Sequence, residues 1–231
     1  MLGVLDSGEG GENAVGELRL LAPRSDLMLF KDRKNSPYGR KSRDELVGIV
    51  SIGIERLIKE GCDRVLIACC TASTVHSELP HRLREVSTPI ILPTATRARE
   101  LSRAGKIALI ATDATVRSHA FADYLGGELV GELAASHLVD EIERGARDGL
   151  ISRQLCEYLC SLMLEVAGTG ADTLILGCTH FVRLSGEITR IYKSITGRKI
   201  TLVDSAKEGA GAILREHPQL ARGDGRLLRI E

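Results

Sequence analysis

The sequence has few aromatic residues, no net charge and no long apolar run, and each absence excludes a class of function. Aromatic residues make up 3% of the 231 residues and Trp is absent, which argues against stacking platforms for single-stranded nucleic acid. Lys and Arg number 31 against 31 Asp and Glu, so no overall field attracts the chain to nucleic acid or to a membrane surface. No apolar run approaches the roughly 18 residues that would span a bilayer.

Six cysteines are present, but their spacing fits neither a disulfide framework nor a metal site. The chain is long for a disulfide-stapled domain, shows no signal-peptide pattern and contains no CxxC pair. Cys156 and Cys160 lie one turn apart on a predicted helix without a second ligand pair, so we interpret them as core residues. No lysine stands in a strand-end motif of the kind that holds pyridoxal phosphate. The sequence therefore predicts a cytoplasmic protein with reduced thiols, no cofactor and no metal.

Strand-like and helix-like segments alternate along the chain, which predicts an α/β fold with mostly parallel sheets and right-handed crossovers. We predict two pseudo-symmetric α/β lobes with an active-site cleft between them. The first lobe is residues 1–98 together with 206–231, and the second is residues 99–205. Ser42 and Glu45 form a predicted capping box at the start of one helix. The apolar runs that predict strands are Met1–Leu5, Leu27–Phe30, Val65–Ala68, Pro89–Pro93, Lys106–Ala111, Thr173–Leu176 and Ile200–Val203.

One motif follows two of these strands: a cysteine, then a threonine that can cap a helix. Its copies are residues 65–73 (VLIACCTAS) and 173–180 (TLILGCTH). The motif places Cys69 and Cys178 at the carboxyl ends of buried strands, where ligands bind in α/β sheets and where a helix N-terminus favours the reactive thiolate. A single cysteine in such a place is commonly a core residue. Core packing, however, does not require a threonine after the cysteine in both copies, so the repeat favours a functional role. Two opposed thiols can remove a proton from one face of a stereocentre and return it on the other.

Two further segments contain candidate site residues. Asp6 and Ser7 follow the first strand and precede a glycine-rich turn. That turn lacks the Lys and the spacing of a P-loop, and we leave open whether the glycines serve only its backbone or present both side chains to a ligand. Residues 31–41 carry five cations against one carboxylate. These cations can gather an anionic substrate, but a solvated loop is the alternative that we favour for most of them.

Taken together, the motifs resemble those of the glutamate racemases, within the cofactor-independent aspartate/glutamate racemase family. The matching segments run in the family's order along nearly the whole chain. His180, after Cys178 and Thr179, resembles the glutamate-type enzymes, whereas aspartate-type relatives tend to carry Glu there. The segments are Asp6-Ser7-Gly8 with Gly10-Gly11, Pro37-Tyr38-Gly39 before Lys41-Ser42, Cys69 with Thr71-Ala72-Ser73, Ala114-Thr115-Val116 before Ser118, Gly177-Cys178-Thr179-His180, and Val203-Asp204-Ser205.

The resemblance implies a racemase that interconverts L- and D-glutamate without a cofactor, by two-base proton transfer at the α-carbon. The D-glutamate would be used in peptidoglycan, and so for the cell wall and cell shape. Cys69 and Cys178 would exchange the proton, with Asp6 assisting the first and His180 and Glu143 the second. The implied partner is a small acidic amino acid, with no nucleic acid and no membrane, and a homodimer is left open. The implied substrate-binding residues are Ser7, Pro37, Tyr38, Gly39, Cys70, Thr71 and Thr179.

The chain departs from the family's pattern at several places around this implied site. Cys70 stands where the family usually has Asn, and residues 31–33 read Lys-Asp-Arg in place of Gly-Asp-Thr. Glu9 and Asn13 replace an apolar residue and a hydroxyl residue of the glycine-rich turn, and residues 182–183 read Val-Arg in place of Pro-Leu. Two alternatives therefore stay open: a racemase of another acidic amino acid or analogue, and a catalytically weak, racemase-like ligand-binding protein.

Overall fold

Two parallel β-sheets, one in each of two units of the chain, organise the fold. The computed structural model describes residues 1–231. The first unit comprises Met1–Pro93 and Ser205–Glu231, and the second comprises Thr94–Asp204. All neighbouring strands within each sheet pair in the parallel sense. The predicted α/β class with mostly parallel sheets is therefore confirmed.

Nine strands and eleven α-helices make up the regular structure. The strands are β1 (Leu2–Asp6), β2 (Leu27–Lys31), β3 (Arg64–Ile67), β4 (Ser87–Pro89), β5 (Ile107–Ala111), β6 (Leu129–Ala134), β7 (Thr173–Gly177), β8 (Thr201–Asp204) and β9 (Leu227–Ile230). The helices are α1 (Gly10–Leu21), α2 (Arg43–Lys59), α3 (Cys70–Ser73), α4 (His81–Arg84), α5 (Ile91–Leu101), α6 (Asp113–Arg117), α7 (Ala120–Leu125), α8 (His137–Glu143), α9 (Arg153–Gly168), α10 (Ser185–Thr196) and α11 (Ser205–Glu216).

In the first unit the strand order is β4-β3-β1-β2-β9, so β1 lies at the centre of the sheet. All five residues of β1 are buried, as expected for a parallel strand covered on both faces. Leu5 and Ile67 pack on one face with the apolar side of α2, while Val4 and Leu66 pack on the other with α1 and α11. The central strands therefore end between two packed layers, and the residues that follow them are held in fixed positions.

In the second unit the strand order is β6-β5-β7-β8, with β5 and β7 at the centre. The parallel ladder pairs Ala111 with Gly177, so these two strands end side by side. The core lies largely under α9, whose predicted apolar face is buried in full. That face consists of Leu155, Leu159, Leu162, Met163 and Val166. No helix of the chain is both long enough and apolar enough to cross a membrane.

The structure corrects the sequence analysis between residues 87 and 101. The predicted strand Pro89–Pro93 is wrong, because β4 ends at Pro89 and α5 begins at Ile91. Pro93 lies in the first turn of α5, where proline removes no intrahelical hydrogen bond. The division between the units falls inside α5, so residues 94–98 belong to the second unit. Ser205 belongs to the first unit, because it begins α11, which packs on α1.

Candidate active site

The candidate residues of the first unit lie at the carboxyl ends of neighbouring strands. Asp6 is the last residue of β1, and Cys69 follows the end of β3. The ladder pairs Leu5 with Ile67, which brings the chain beyond each strand to the same edge of the sheet. Asp6 is 1% exposed and Cys69 is 8% exposed. A carboxylate and a thiol are thus held next to each other in a nearly dry environment.

The Cys69 thiol is held in its protonated form. Burial and, next in size, the charge of Asp6 raise the pKa of Cys69 to about 12. The backbone N–H groups of Ala72 and Thr71 and the Ser7 hydroxyl, 3.9 Å from Sγ, oppose this rise only in part. The start of α3 thus favours the thiolate through these N–H groups, as expected, but α3 is a single turn, and burial together with the charge of Asp6 outweighs its effect.

The turn after β1 needs glycine for steric reasons. The backbone N–H of Gly8 donates a 2.8 Å hydrogen bond to Asp6 Oδ1, which fixes the carboxylate over the turn. A Cβ atom on Gly11 would lie 2.8 Å from the Asp6 Cβ and 2.8 Å from the Leu29 Cδ1, closer than side chains approach one another. The glycines thus let α1 start against the side chain of Asp6. The glycines can therefore serve the backbone of this turn and also present Asp6 and Ser7 to a ligand.

Tyr38 belongs to a hydrogen-bonded group that the sequence analysis did not contain. Its hydroxyl donates to Asp32 Oδ2 at 2.9 Å, and Asn35 Nδ2 donates to both oxygens of the same carboxylate at 2.8 and 3.0 Å. The backbone N–H of Asp32 donates to the Asp6 carbonyl at 2.9 Å. Burial and then the charge of Asp32 raise the pKa of Tyr38, so the phenol acts only as a neutral donor. Two signals in the sequence point to Asp32: it follows β2 directly, and it is the one residue of 31–33 that matches the Gly-Asp-Thr pattern of the resembled family.

The second unit carries a thiol, an imidazole and a carboxylate in a line. Cys178 follows β7, and its Sγ lies 3.6 Å from His180 Nδ1. The other ring nitrogen, Nε2, lies 3.3 Å from Glu143 Oε1 at the end of α8. Cys178 and His180 are buried, while the side chain of Glu143 is 41% exposed. The imidazole can therefore accept the thiol proton while Glu143 stabilises the imidazolium, as in other nucleophile–base–orienter groups.

Gly177 sets the position of Cys178. A Cβ atom on Gly177 would lie 2.6 Å from Leu109 Cδ1 and 3.0 Å from the carbonyl oxygen of Ile110. Only glycine lets the end of β7 pack this closely on β5. The thiol is thereby brought to the edge of the sheet beside the loop that starts at Thr112, whose side chain accepts a hydrogen bond from the N–H of Thr115.

The structure shows where the remaining predicted substrate-binding residues lie, but not whether they contact a substrate. Thr179 is buried directly after Cys178, and Thr71 is buried two residues after Cys69. Cys70, between Cys69 and Thr71, is 2% exposed within an apolar cluster that also contains Ala68 and Ala206. Pro37 is exposed. Their roles toward a substrate stay predictions. The remaining two also flank the site: Ser7 faces the Cys69 thiol and Gly39 follows Tyr38.

Two of the cations of residues 31–41 are already paired. Lys31 is buried and bound to Glu9 and Glu12, and Arg33 binds Glu9 at 2.7 Å. Lys34 is exposed, as expected for a solvated loop. A solvated loop therefore fits Lys34 but not Lys31, which is the buried last residue of β2. No group of three or more His, Cys, Asp or Glu side chains is arranged to hold a metal ion.

Comparison with known proteins identifies the family. The family model for Asp/Glu/Hydantoin racemases matches residues 27–213, most of the chain. The chain belongs to this racemase family. The curated glutamate racemase of Desulforudis audaxviator is 37% identical over 211 residues, which cover 89% of this chain and 74% of that relative. The glutamate racemase of Deinococcus radiodurans is 30% identical over 236 residues, covering 99% of this chain and 77% of the relative.

A solved structure agrees with this assignment. The glutamate racemase of Thermus thermophilus, in complex with β-chloro-D-alanine, is 30% identical to this racemase, with a TM-score of 0.79. The superposition covers 99% of this chain and 85% of that structure. The membership places the protein among the isomerases. The roles of Cys69 and Cys178 in proton transfer stay predictions.

Proposed function

We propose that the protein is a glutamate racemase that moves the α-proton of glutamate through the thiols of Cys69 and Cys178. The observation that carries the proposal is the line from Cys178 through His180 to Glu143, found in a chain whose curated relatives are glutamate racemases. A thiol with an adjacent imidazole is an activated base. The second thiol, Cys69 beside the carboxylate of Asp6, acts as the acid when Cys178 acts as the base.

In one direction Cys178 acts as the base. Its proton has passed to His180, and the thiolate removes the α-proton from one enantiomer of the substrate. Cys69, which burial and Asp6 keep protonated, delivers a proton to the opposite face of the α-carbon. One proton leaves carbon and one returns, so the substrate inverts and the two thiols exchange their protonation states.

In the other direction Cys69 must lose its proton. A bound amino acid brings an ammonium group, and a positive charge close to a buried thiol lowers its pKa. Asp6 is the adjacent carboxylate that can accept the proton of the thiol. We therefore expect Cys69 to become a base only once substrate is bound, which protects it from solution electrophiles in the free enzyme.

The carbanion formed between the two steps is stabilised through the α-carboxylate, over which its charge spreads. Backbone N–H groups and hydroxyls at the starts of the segments after Cys69 and Cys178 are the donors that we assign to this carboxylate, with Ser7, Thr71 and Thr179 as the side chains. Donors that are fixed before the reaction cost no reorganisation when the charge develops. Tyr38 and Gly39 are the candidates for the side-chain carboxylate.

We place the enzyme in the cytoplasm, where reducing conditions keep thiols from forming disulfides, since none of the six cysteines forms a disulfide and the chemistry needs two of them as thiols. Its product would be D-glutamate for peptidoglycan, and hence for the cell wall and cell shape. Size-exclusion chromatography of the purified protein distinguishes a monomer from the homodimer that the family resemblance leaves open.

The test is the racemisation of glutamate by the purified protein, followed by circular dichroism from each enantiomer, with L- and D-aspartate in parallel. The equilibrium constant is one, so kcat/KM must be equal in the two directions. We expect racemisation of glutamate with kcat/KM at least tenfold above that of aspartate. No racemisation of any acidic amino acid would overturn the proposal.

A second substrate remains a candidate because of one observation. Lys31 and Glu9, which differ from the family's pattern, form an ion pair directly beside the turn of Asp6. That change lies close enough to the site to alter the substrate. Faster turnover of another acidic amino acid than of glutamate would favour this candidate, and binding of glutamate without turnover would favour a racemase-like binding protein.

A further inference from the structure

A buried lysine stands beside Asp6 and has no part in the proposed proton transfer. Lys31 is the last residue of β2, and the parallel ladder pairs it with Asp6, the last residue of β1. Its side chain is only 9% exposed. Lysine is almost never buried to this extent without a partner, so the groups around its ammonium nitrogen indicate what it holds.

The ammonium group of Lys31 binds two carboxylates from the turn and the helix that follow β1. Its Nζ lies 3.2 Å from Glu9 Oε2 and 2.8 Å from Glu12 Oε1. We call these three residues the Lys31 clamp. Each carboxylate has a second cation: Arg33 binds Glu9 at 2.7 Å, and Arg229 of β9 binds the two oxygens of Glu12 at 2.9 and 3.1 Å.

Both carboxylates of the clamp are ionised at neutral pH. The hydrogen bond from Arg229, together with Lys31, lowers the pKa of Glu12 to about 2. Burial alone would raise the pKa of Glu9, but Lys31 and Arg33 lower it overall. The clamp is thus a charged contact, in which Lys31 binds both Glu9 and Glu12.

A single residue thereby holds both ends of the turn that carries the catalytic groups. The backbone of Lys31 pairs with Asp6 at the start of the turn, and its side chain binds Glu9 at the end. Only Ser7 and Gly8 lie between these ends. Ser7 contacts the Cys69 thiol at 3.9 Å. Movement of Glu9 away from β2 would therefore shift the groups that face Cys69.

We infer that Lys31 is a positioning residue for the Cys69 side of the site, which through Glu9 and Glu12 keeps Asp6 and Ser7 against the thiol. Its effect on turnover rests on the proposed function, whereas its effect on the thiol does not. Glu9 and Lys31 both depart from the pattern of the resembled family, and they bind each other. The two departures thus form one ion pair in this chain.

The experiment compares Lys31→Met, Lys31→Arg and the control Arg33→Met. The control also removes a cation from Glu9, but from a side chain that is 55% exposed. The first readout, which needs no substrate, is the pH midpoint of Cys69 alkylation by iodoacetamide, measured by peptide mapping. The second is kcat/KM for glutamate, and the melting temperature reports folding.

In Lys31→Met we expect the pH midpoint of Cys69 alkylation to fall and kcat/KM for glutamate to drop about tenfold or more. In Lys31→Arg both values should be close to wild type, and in Arg33→Met both should be unchanged. Loss of a cation alone would raise the pKa of the thiol, so a lower midpoint reports that Asp6 has moved away. A midpoint that stays or rises in a folded Lys31→Met protein would overturn the inference. Wild-type protein without racemase activity would instead overturn the proposed function, while the alkylation result would still decide the role of Lys31.

Discussion

Replacing Asp6 by Asn should make Cys69 more reactive and the enzyme less active. Asn has the size of Asp and keeps an oxygen that can accept the hydrogen bond from Gly8 N–H, which is 2.8 Å long in the structure. The change therefore removes the negative charge next to the thiol and the group that can accept its proton. Because the charge of Asp6 is the second largest cause of the raised pKa of Cys69, that pKa should fall in Asp6→Asn.

The expected gain in reactivity follows from the pKa. With a pKa of about 12 rather than the ordinary 9.0, the thiolate fraction at pH 8 is roughly 1 in 10,000 instead of 1 in 10. Each tenfold gain in thiolate is offset about threefold by weaker nucleophilicity. Removal of the whole effect would thus speed alkylation about 30-fold. Burial, the larger cause, remains, so we expect a threefold to tenfold increase.

Turnover should change in the opposite direction. Loss of a group that takes up a proton in the transition state typically costs about 100-fold to 10,000-fold in rate, so kcat for glutamate should fall at least 100-fold. Alkylation is measured with iodoacetamide at pH 8, with fragment spectra separating Cys69 from Cys70. Asp63→Asn, which neutralises an exposed carboxylate of the same unit, is the control. Unchanged or slower alkylation in Asp6→Asn, or near wild-type kcat, would refute the reasoning.

Three further predictions concern other parts of the site. His180→Asn should lower kcat at least 100-fold with little change in melting temperature. Glu143→Gln should lower kcat only about tenfold, since Glu143 acts only through the imidazole. A His180→Asn enzyme with kcat within threefold of wild type would contradict this. Gly177→Ala should lower the free energy of unfolding by about 2–4 kcal/mol in urea titrations, because the new Cβ would crowd Leu109 and the Ile110 carbonyl. The control Gly168→Ala, with open space around the new Cβ, should change it little. Equal stabilities of the two variants would refute the steric argument. Cys70→Asn should lose about 1–3 kcal/mol, as an amide enters an apolar cluster, and a higher kcat/KM for glutamate would instead place this residue at the substrate.

The fold was predictable from the sequence where the signals are local. The capping box of Ser42 and Glu45 is present as expected, with hydrogen bonds of 2.8 and 3.3 Å. The strands that precede Cys69 and Cys178 end as the motif predicts. The strand predicted at Pro89–Pro93 failed because two prolines and a short apolar run do not distinguish a strand end from a first helical turn.

The site was predictable only for residues that belong to motifs. The side chain of Lys31 binds Glu9, 22 residues earlier in the chain, and Arg229 binds Glu12 across 217 residues. No local pattern reports such contacts. The net shift in the pKa of Cys69 is a similar case. The sequence shows the helix start after the cysteine, which lowers this pKa, but not the depth of burial or the nearby charge of Asp6, which raise it.

The most direct test of the two-thiol racemase is the exchange of the α-proton of glutamate in D₂O by Cys69→Ser, Cys178→Ser and the core control Cys62→Ser. A hydroxyl is a far weaker acid than a thiol, so each site variant should keep a single working base. We predict that wild type and Cys62→Ser place deuterium in both enantiomers, whereas each site variant no longer racemises and exchanges only one enantiomer, a different one for each. Near wild-type racemisation by either site variant, or exchange of the same enantiomer by both, would contradict the account.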